Sequence, residues 1–311
     1  MNILFINDTT NSGHPGSIAT VQGIIRMLKN TNNDINIHSL PVGYCYELLA
    51  ESRGDFKEQN NITNIKRILY EAKNILFERK KSHIELNNKT INKNFDINAW
   101  ETTISSLNNE PYLSNIFDWC DTVIINGEGT IHHNFYGAQT LLALAKISKE
   151  KNKTVLLLNS TIESIDNILI QESLSKIDYI SVRDQQSHEY LNSVFINNHI
   201  HPDAAFSNTY NEFPGNTNIK NKKKAPLCLI SSGIGQSVEL SSHLINIAKS
   251  NGYTPVYYCF DATDNNTYKY CRSHKIDVIR HPTIPWWYLP SFLKQFDICI
   301  SGRHHFNVFC I

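Results

Sequence analysis

The 311-residue chain carries 29 Lys and Arg against 29 Asp and Glu, a formal net charge of zero, with 41% hydrophobic and 19% charged residues. That composition supports packed cores and excludes a chain disordered throughout. The balanced charge argues against a nucleic-acid partner, whose phosphates select basic surfaces, and the length predicts two domains.

Seven cysteines, at positions 45, 120, 228, 259, 271, 299 and 310, form no CxxC pair. An odd number placed largely in apolar runs fits reduced, buried thiols better than a disulfide frame or a zinc site. The opening run Ile3-Leu4-Phe5-Ile6 is too short and lacks the basic start of a signal peptide. No segment reaches the roughly 18 apolar residues of a membrane span. A cytoplasmic location is expected. Two basic runs, Arg79-Lys80-Lys81 and Lys220-Asn221-Lys222-Lys223-Lys224, read either as solvated surface or as a foothold on the anionic inner face of a membrane.

In chain order, Ile3–Ile6 reads as a strand, and Ser17–Lys29 as a helix with Ile18, Val21, Ile24, Ile25 and Leu28 on one face. Ile35–Leu40 is the next strand, and residues 60–82 again show helical spacing. The Asn-rich stretch 83–118 yields only one helix, Ala99–Leu107. Strand Thr122–Ile125, helix Ala138–Lys149, strand Thr154–Leu158, a helix over Ile165–Ser175, strand Tyr179–Val182 and helix Gln185–Leu191 follow. Strands alternating with helices imply a parallel sheet wound in βαβ units.

Asn208–Ala225 is rich in Asn, Gly, Pro and Lys and reads as a linker between a domain at 1–207 and a second at 226–311. Beyond it the alternation resumes: strand Leu227–Ile230, helix Glu239–Lys249, strand Thr254–Phe260, helix Asn265–His274, strand Asp277–Ile279, helix Pro285–Lys294 and strand Asp297–Ile300. Two doubly wound, Rossmann-like α/β domains make a GT-B-like arrangement. Such folds take ligands in a cleft at the carboxyl ends of their strands. The chain ends inside the helix expected after Ser301-Gly302, so the second domain reads as incomplete at its C-terminus.

The chemistry-bearing candidates sit where strands end. Asn126-Gly127-Glu128-Gly129-Thr130 follows the Thr122–Ile125 strand. Its glycines let backbone approach a ligand and Glu128 suits catalysis, although a plain tight turn reads equally well. The stretch is neither a Walker loop nor GxGxxG. His132 and His133 follow without a third metal ligand at suitable spacing. Arg183, in Ser181-Val182-Arg183-Asp184, can fork onto a carboxylate or phosphate, while Asp184 can cap the next helix. Asp203 can cap the turn after it or floor the cleft. In Ser301-Gly302-Arg303-His304-His305, three cationic or titratable side chains open a helix, where positive charge is unfavourable unless an anion binds. Histidine also suits proton transfer near neutral pH. The loop Asn7–Ser17, with Gly13, His14 and Gly16, precedes a helix and is a further candidate lining.

In these residues the chain resembles the polysaccharide pyruvyl transferases. The resemblance rests on the Asn126–Thr130 turn, on Ser181-Val182-Arg183-Asp184 with Ser187 and Leu191, on Pro202-Asp203-Ala204-Ala205-Phe206, and on Ser301-x-Arg303-x-His305, in that order over nearly the whole chain. It implies a GT-B-like transferase that moves a pyruvyl group from phosphoenolpyruvate to two hydroxyls of a surface-polysaccharide sugar, free or lipid-linked. The products are a ketal and phosphate. By resemblance, His305, Arg303 and Glu128 are catalytic: Arg303 holds the donor's phosphate or carboxylate, and His305 moves the proton. Arg183, Asn126, Gly127, Gly129, Ser301 and His304 contact substrate. No cofactor or metal is implied, phosphoenolpyruvate being a substrate. Two alternatives stay open: a nucleotide-sugar glycosyltransferase of the same fold, with its base pocket near Ser231-Ser232-Gly233-Ile234-Gly235, and a glycan-binding module without turnover.

Overall fold

The computed structural model describes residues 1–12, 14–31, 34–41, 95–212, 214, 225–231, 238–260, 264–280 and 284–311. The helix expected over 60–82, both basic runs, Gly13, most of the 208–225 linker and residues 232–235 lie outside the described residues.

The chain divides into two compact units. The first is Met1–Asp8 with Asn32–Pro202, and the second is Thr9–Thr31 with Asp203–Ile311. The sequence places the division at a single linker. Instead the chain leaves the first unit directly after its first strand, returns at residue 32 and leaves again at residue 202. The cause is visible in helix α1 (Pro15–Thr31). Ala19 lies in a core formed by Leu227, Leu229, Val256, Phe260, Phe292 and Phe306. At Gly23 a Cβ would fall 2.0 Å from the Ala204 carbonyl oxygen, so only glycine allows the helix this close to the second unit's backbone.

In the first unit six strands form a parallel sheet in the order β2-β1-β3-β4-β5-β6. They are β1 (Asn2–Asp8), β2 (Asn36–Pro41), β3 (Thr122–His132), β4 (Thr154–Glu163), β5 (Tyr179–Val182) and β6 (His199–Ile200). The inner strands read as unbroken apolar runs because both faces are covered: Ile3 to Ile6 are all fully buried. Helix α2 (Ile97–Asn108) starts where the Asp96 carboxylate accepts the N–H groups of Asn98 and Ala99. Helix α3 (Pro111–Trp119) was not legible from apolar spacing. It begins with proline at its first position and with Glu110 accepting the Leu113 N–H at 2.7 Å. Helix α4 (Tyr136–Glu150) follows β3, α5 (Asn167–Glu172) follows β4, and α6 (Gln185–Ser193) follows β5.

In the second unit four strands form a parallel sheet in the order β10-β7-β8-β9. They are β7 (Leu227–Ser231), β8 (Thr254–Cys259), β9 (Asp277–Arg280) and β10 (Ile298–Ser301). Their crossovers include helices α7 (Val238–Ser250), α8 (Asn265–Ser273) and α9 (Leu289–Leu293), and α10 (His304–Cys310) follows β10. One face of this sheet packs an aromatic core of Tyr258, Phe260, Phe292 and Phe306. The other packs Ile230, Ile245, Tyr257 and Cys271. No helix among the described residues is long and apolar enough to cross a membrane.

Candidate functional site

Each unit gathers chemistry-bearing residues at the carboxyl ends of its strands, where open parallel sheets place their ligands.

In the second unit the centre is Asp203, whose side chain is 2% exposed. Its Oδ1 accepts the Ala205 N–H at 2.9 Å, capping the short 3-10 turn Ala204–Ser207. The same oxygen accepts the Thr20 hydroxyl at 3.1 Å. Its Oδ2 lies 3.2 Å from His304 Nε2 and 3.7 Å from His305 Nε2. One carboxylate thus caps a turn and orients two imidazoles. Sequence reasoning offered the cap and missed the rings. Thr20, on α1, reaches His305 Nε2 at 3.2 Å. His14, just ahead of α1, accepts the Ser17 N–H at Nδ1 and sets its ring edge-on to His305 at 5.5 Å and against Phe260 at 4.9 Å. His305 is nearly buried, while the His304 side chain is half exposed.

The guanidinium of Arg303, read in the sequence as a grip on the donor's phosphate or carboxylate, is 2% exposed and binds Asp264 Oδ1 at 2.7 Å. Asp264 also accepts the Phe260 N–H at 2.7 Å, and the guanidinium carbon lies 5.5 Å from the Phe260 ring centroid. Ser301 accepts the Arg303 backbone N–H through Oγ at 2.9 Å and so shapes the entry to α10. Two carboxylates of the same unit, Asp264 and Asp203, thus stand against the Arg303-His304-His305 run.

In the first unit Asn126, Gly127, Glu128 and Gly129 lie within β3 rather than in a turn after it, at a break in its register with β4. Glu128 has φ 43°, a left-handed conformation that a non-glycine residue adopts at a free-energy cost. Its neighbours in the sheet do the same: Asn7 at the end of β1 (φ 66°) and Asn159 in β4 (φ 54°). Asn126, fully buried, donates to Glu128 Oε1 at 3.0 Å and to the Asn7 carbonyl at 3.3 Å, and Asn7 donates to the Asn126 carbonyl at 2.6 Å. Gly127 is required by space, since a Cβ there would fall 1.9 Å from Ser160 Oγ. Gly129 faces Arg183, whose terminal nitrogen lies 3.4 Å from where a Cβ would stand.

Arg183 is half-buried and donates through Nε to Thr161 Oγ1 at 3.1 Å. Thr161 in turn donates to Asp184 at 2.9 Å. Asp184 caps α6 through the Ser187 N–H at 2.8 Å. Asn126, Gly127, Glu128 and Gly129 thus lie within β3 and Arg183 just after β5, in the first unit, while Ser301, Arg303, His304 and His305 lie at the end of β10 in the second. His132 and His133 stand apart, with their Nδ1 atoms 3.1 Å from each other. Desolvation first, and the neighbouring His133 second, lower the His132 pKa. Among the described residues no three metal-ligating side chains gather.

A family model described as polysaccharide pyruvyl transferase matches residues 14–311. No curated protein is significantly similar to the chain. Among solved structures, one assigned as a UDP-N-acetylglucosamine 2-epimerase from Listeria monocytogenes is similar at TM-score 0.55 and 11% identity, covering 98% of this chain and 74% of that one. UDP-GlcNAc 2-epimerase from Neisseria meningitidis, bound to UDP-GlcNAc, gives TM-score 0.44 and 12% identity over 97% and 77% of the two chains. At such identities the likeness concerns the fold alone. Two parallel α/β units are GT-B-like, as the sequence predicted.

Proposed function

The chain belongs to the polysaccharide pyruvyl transferase family, and from that premise we propose that it transfers the pyruvyl group of phosphoenolpyruvate to two hydroxyls of a surface-polysaccharide sugar. The observation that carries this reading is the pair of imidazoles, His304 and His305, oriented by the single buried carboxylate of Asp203. Ketal formation from an enol phosphate needs little more than a placed proton shuttle and fixed charge near the leaving group.

In this reaction the methylene carbon of the donor gains a proton. The adjacent carbon becomes electrophilic, and a sugar hydroxyl oxygen bonds to it. The bond from that carbon to the phosphate oxygen breaks, and the second hydroxyl oxygen closes the ring. Two hydroxyl protons are released: one replaces the proton given to the methylene carbon and the other leaves with phosphate. His305 is the group that delivers the proton. His304, with half its side chain exposed, contacts the donor anion. Arg303, already held by Asp264, acts by fixing the start of α10 rather than by gripping the donor.

In the first unit, Glu128, held by Asn126, is a polar contact for a sugar, and Arg183 is an anion contact. A cytoplasmic place beside lipid-linked acceptors suits this chemistry. The test is phosphate release from phosphoenolpyruvate with a sugar acceptor. His305→Ala is expected to lower the rate by roughly 10²–10⁴-fold, measured at a temperature where the variant is shown to be folded. A full rate in that variant sinks the assignment. Stabilisation by nucleotide sugars, and not by phosphoenolpyruvate, in thermal melting favours a glycosyltransferase instead.

A further inference from the structure

His132 closes β3 and His133 follows it, just beyond Glu128, and the transfer chemistry gives neither ring a part. Their Nδ1 atoms lie 3.1 Å apart. The ring centroids are 5.3 Å apart, close to that separation plus one ring radius on each side, so the two nitrogens point at each other. At this distance and aim one ring donates an N–H and the other accepts it on a lone pair. A protonated imidazole carries hydrogen on both nitrogens. Two such rings would set N–H against N–H, so the pair as built has room for one positive charge and not for two.

The surroundings suit that single charge. Glu163 stands opposite His132 in the register of β3 with β4, and its Oε1 lies 3.8 Å from His133 Nε2. The His132 ring also bonds to the backbone of Gly129, the residue after Glu128. Asp166, at the start of α5, gives its carboxylate to the Ile168 N–H. Phe135 packs against both rings, with centroids 4.6 and 5.8 Å away, and α4 begins at this residue without a side-chain cap. The intervening backbone is costly, since His133 and Asn134 are both left-handed at φ 52° and 55°. It is held by the His133 N–H on the Glu163 carbonyl at 3.0 Å and by the Phe135 N–H on the His132 carbonyl at 3.1 Å. Asn134 adds its Oδ1, which accepts the Asp166 N–H at 2.8 Å.

We propose that His132 and His133 are a proton-sharing pair that latches the corner between β3 and α4, closed while it carries at most one positive charge and opened by a second proton. This goes beyond the transfer reaction and stands whichever donor the chain uses. Desolvation first, and the neighbouring ring second, hold His132 below the usual histidine range. Two separated rings take up protons more readily than the closed pair, so opening binds a proton. Falling pH therefore favours the open corner, beginning near the ordinary histidine value of about 6.5. The strand that loosens is the one that carries Glu128.

The test follows the labelled imidazoles by nitrogen NMR, and the amides by hydrogen exchange, in the full chain. It compares the parent with His133→Asn and Glu163→Gln; asparagine removes the ring yet tolerates the left-handed backbone. In the parent the pair is expected to titrate in two steps more than about one pH unit apart. In His133→Asn the His132 ring should protonate in one step, at higher pH than the parent's lower step. Glu163→Gln should move the parent's upper step to lower pH. Exchange of the His133 and Phe135 amides, corrected for its intrinsic pH dependence, should quicken in the parent across the lower step. Protonation of both rings together in one step, an unchanged His132 titration in His133→Asn, or amide exchange indifferent to the lower step overturns the proposal. Should His133→Asn fail to fold, His133→Gly, which relieves the backbone, takes its place.

Discussion

In the second unit Arg303 is set against Asp264, and His304 and His305 against Asp203. In the first unit Glu128 is held by an amide and lies among three adjacent strands that each carry a residue in the left-handed conformation. One unit fixes its groups by charge pairing, the other by backbone strain and close packing. The difference teaches where each is fragile. A paired cluster fails when one charge is removed, whereas a strained cluster fails when a side chain changes shape.

The largest effect is expected at the buried ion pair. Arg303→Met removes the guanidinium from Asp264 and should lower stability by about 3–5 kcal/mol, read by urea unfolding. Arg303→Met combined with Asp264→Leu should recover most of that loss. If the double variant is as unstable as the single, charge pairing is not what holds this cluster. The comparison also shows why loss of activity in an Arg303 variant says little about donor binding unless folding is measured beside it.

Next comes packing in the first unit. A methyl at Gly127 meets the oxygen of Ser160 at 1.9 Å, its Cβ at 2.7 Å and its Cα at 3.1 Å. Backbone must move, and Gly127→Ala should lose about 1–3 kcal/mol, with partial recovery on adding Ser160→Gly. A near-neutral Gly127→Ala would show that β3 and β4 yield more easily than this geometry allows.

Smaller still is the conformational term at Glu128. Asparagine tolerates φ 43° and a β-branched residue does not. Unfolding of Glu128→Asn and Glu128→Val should therefore place the asparagine variant about 1–2 kcal/mol above the valine one. Equal stabilities would mean that the strain is not felt.

A pH-dependent effect concerns thiols of the second unit. Burial pushes Cys259 and Cys271 up to about 12, with Asp264 adding to the shift at Cys259. Folding thus favours the neutral thiols. Their contribution is fully present below the ordinary thiol pKa near 8.5, and is lost as pH rises from there through 12. Urea midpoints at pH 7.5 and pH 10 should show the decline, and Cys259→Ser should flatten it.

Most of the architecture was legible in the sequence because central parallel strands are apolar on both faces; Leu227–Ile230 and Tyr179–Val182 stand out for that reason. Helix α3 was not, because its start is written in a proline and a capping glutamate rather than in apolar spacing. The Arg303-His304-His305 run reads in the sequence as a seat for a bound anion. That Asp203 and Asp264, 101 and 39 residues away, lie against it is a matter of tertiary placement that no local pattern encodes. Likewise the threonine beside His305 looks like an ordinary small residue of an amphipathic helix until the ring is set against it.

The allegiance of α1 to the second unit has a consequence for how this protein can be divided. A gene fragment starting at residue 203 would carry both histidines and their aspartate, yet would lack the helix that seats one ring and supplies the hydroxyl between them. Conversely, a fragment ending at residue 202 would carry an amphipathic helix deprived of its apolar partners. Domain swaps between relatives should therefore exchange residues 9–31 together with the C-terminal half, as one inherited block, rather than cut once at the linker.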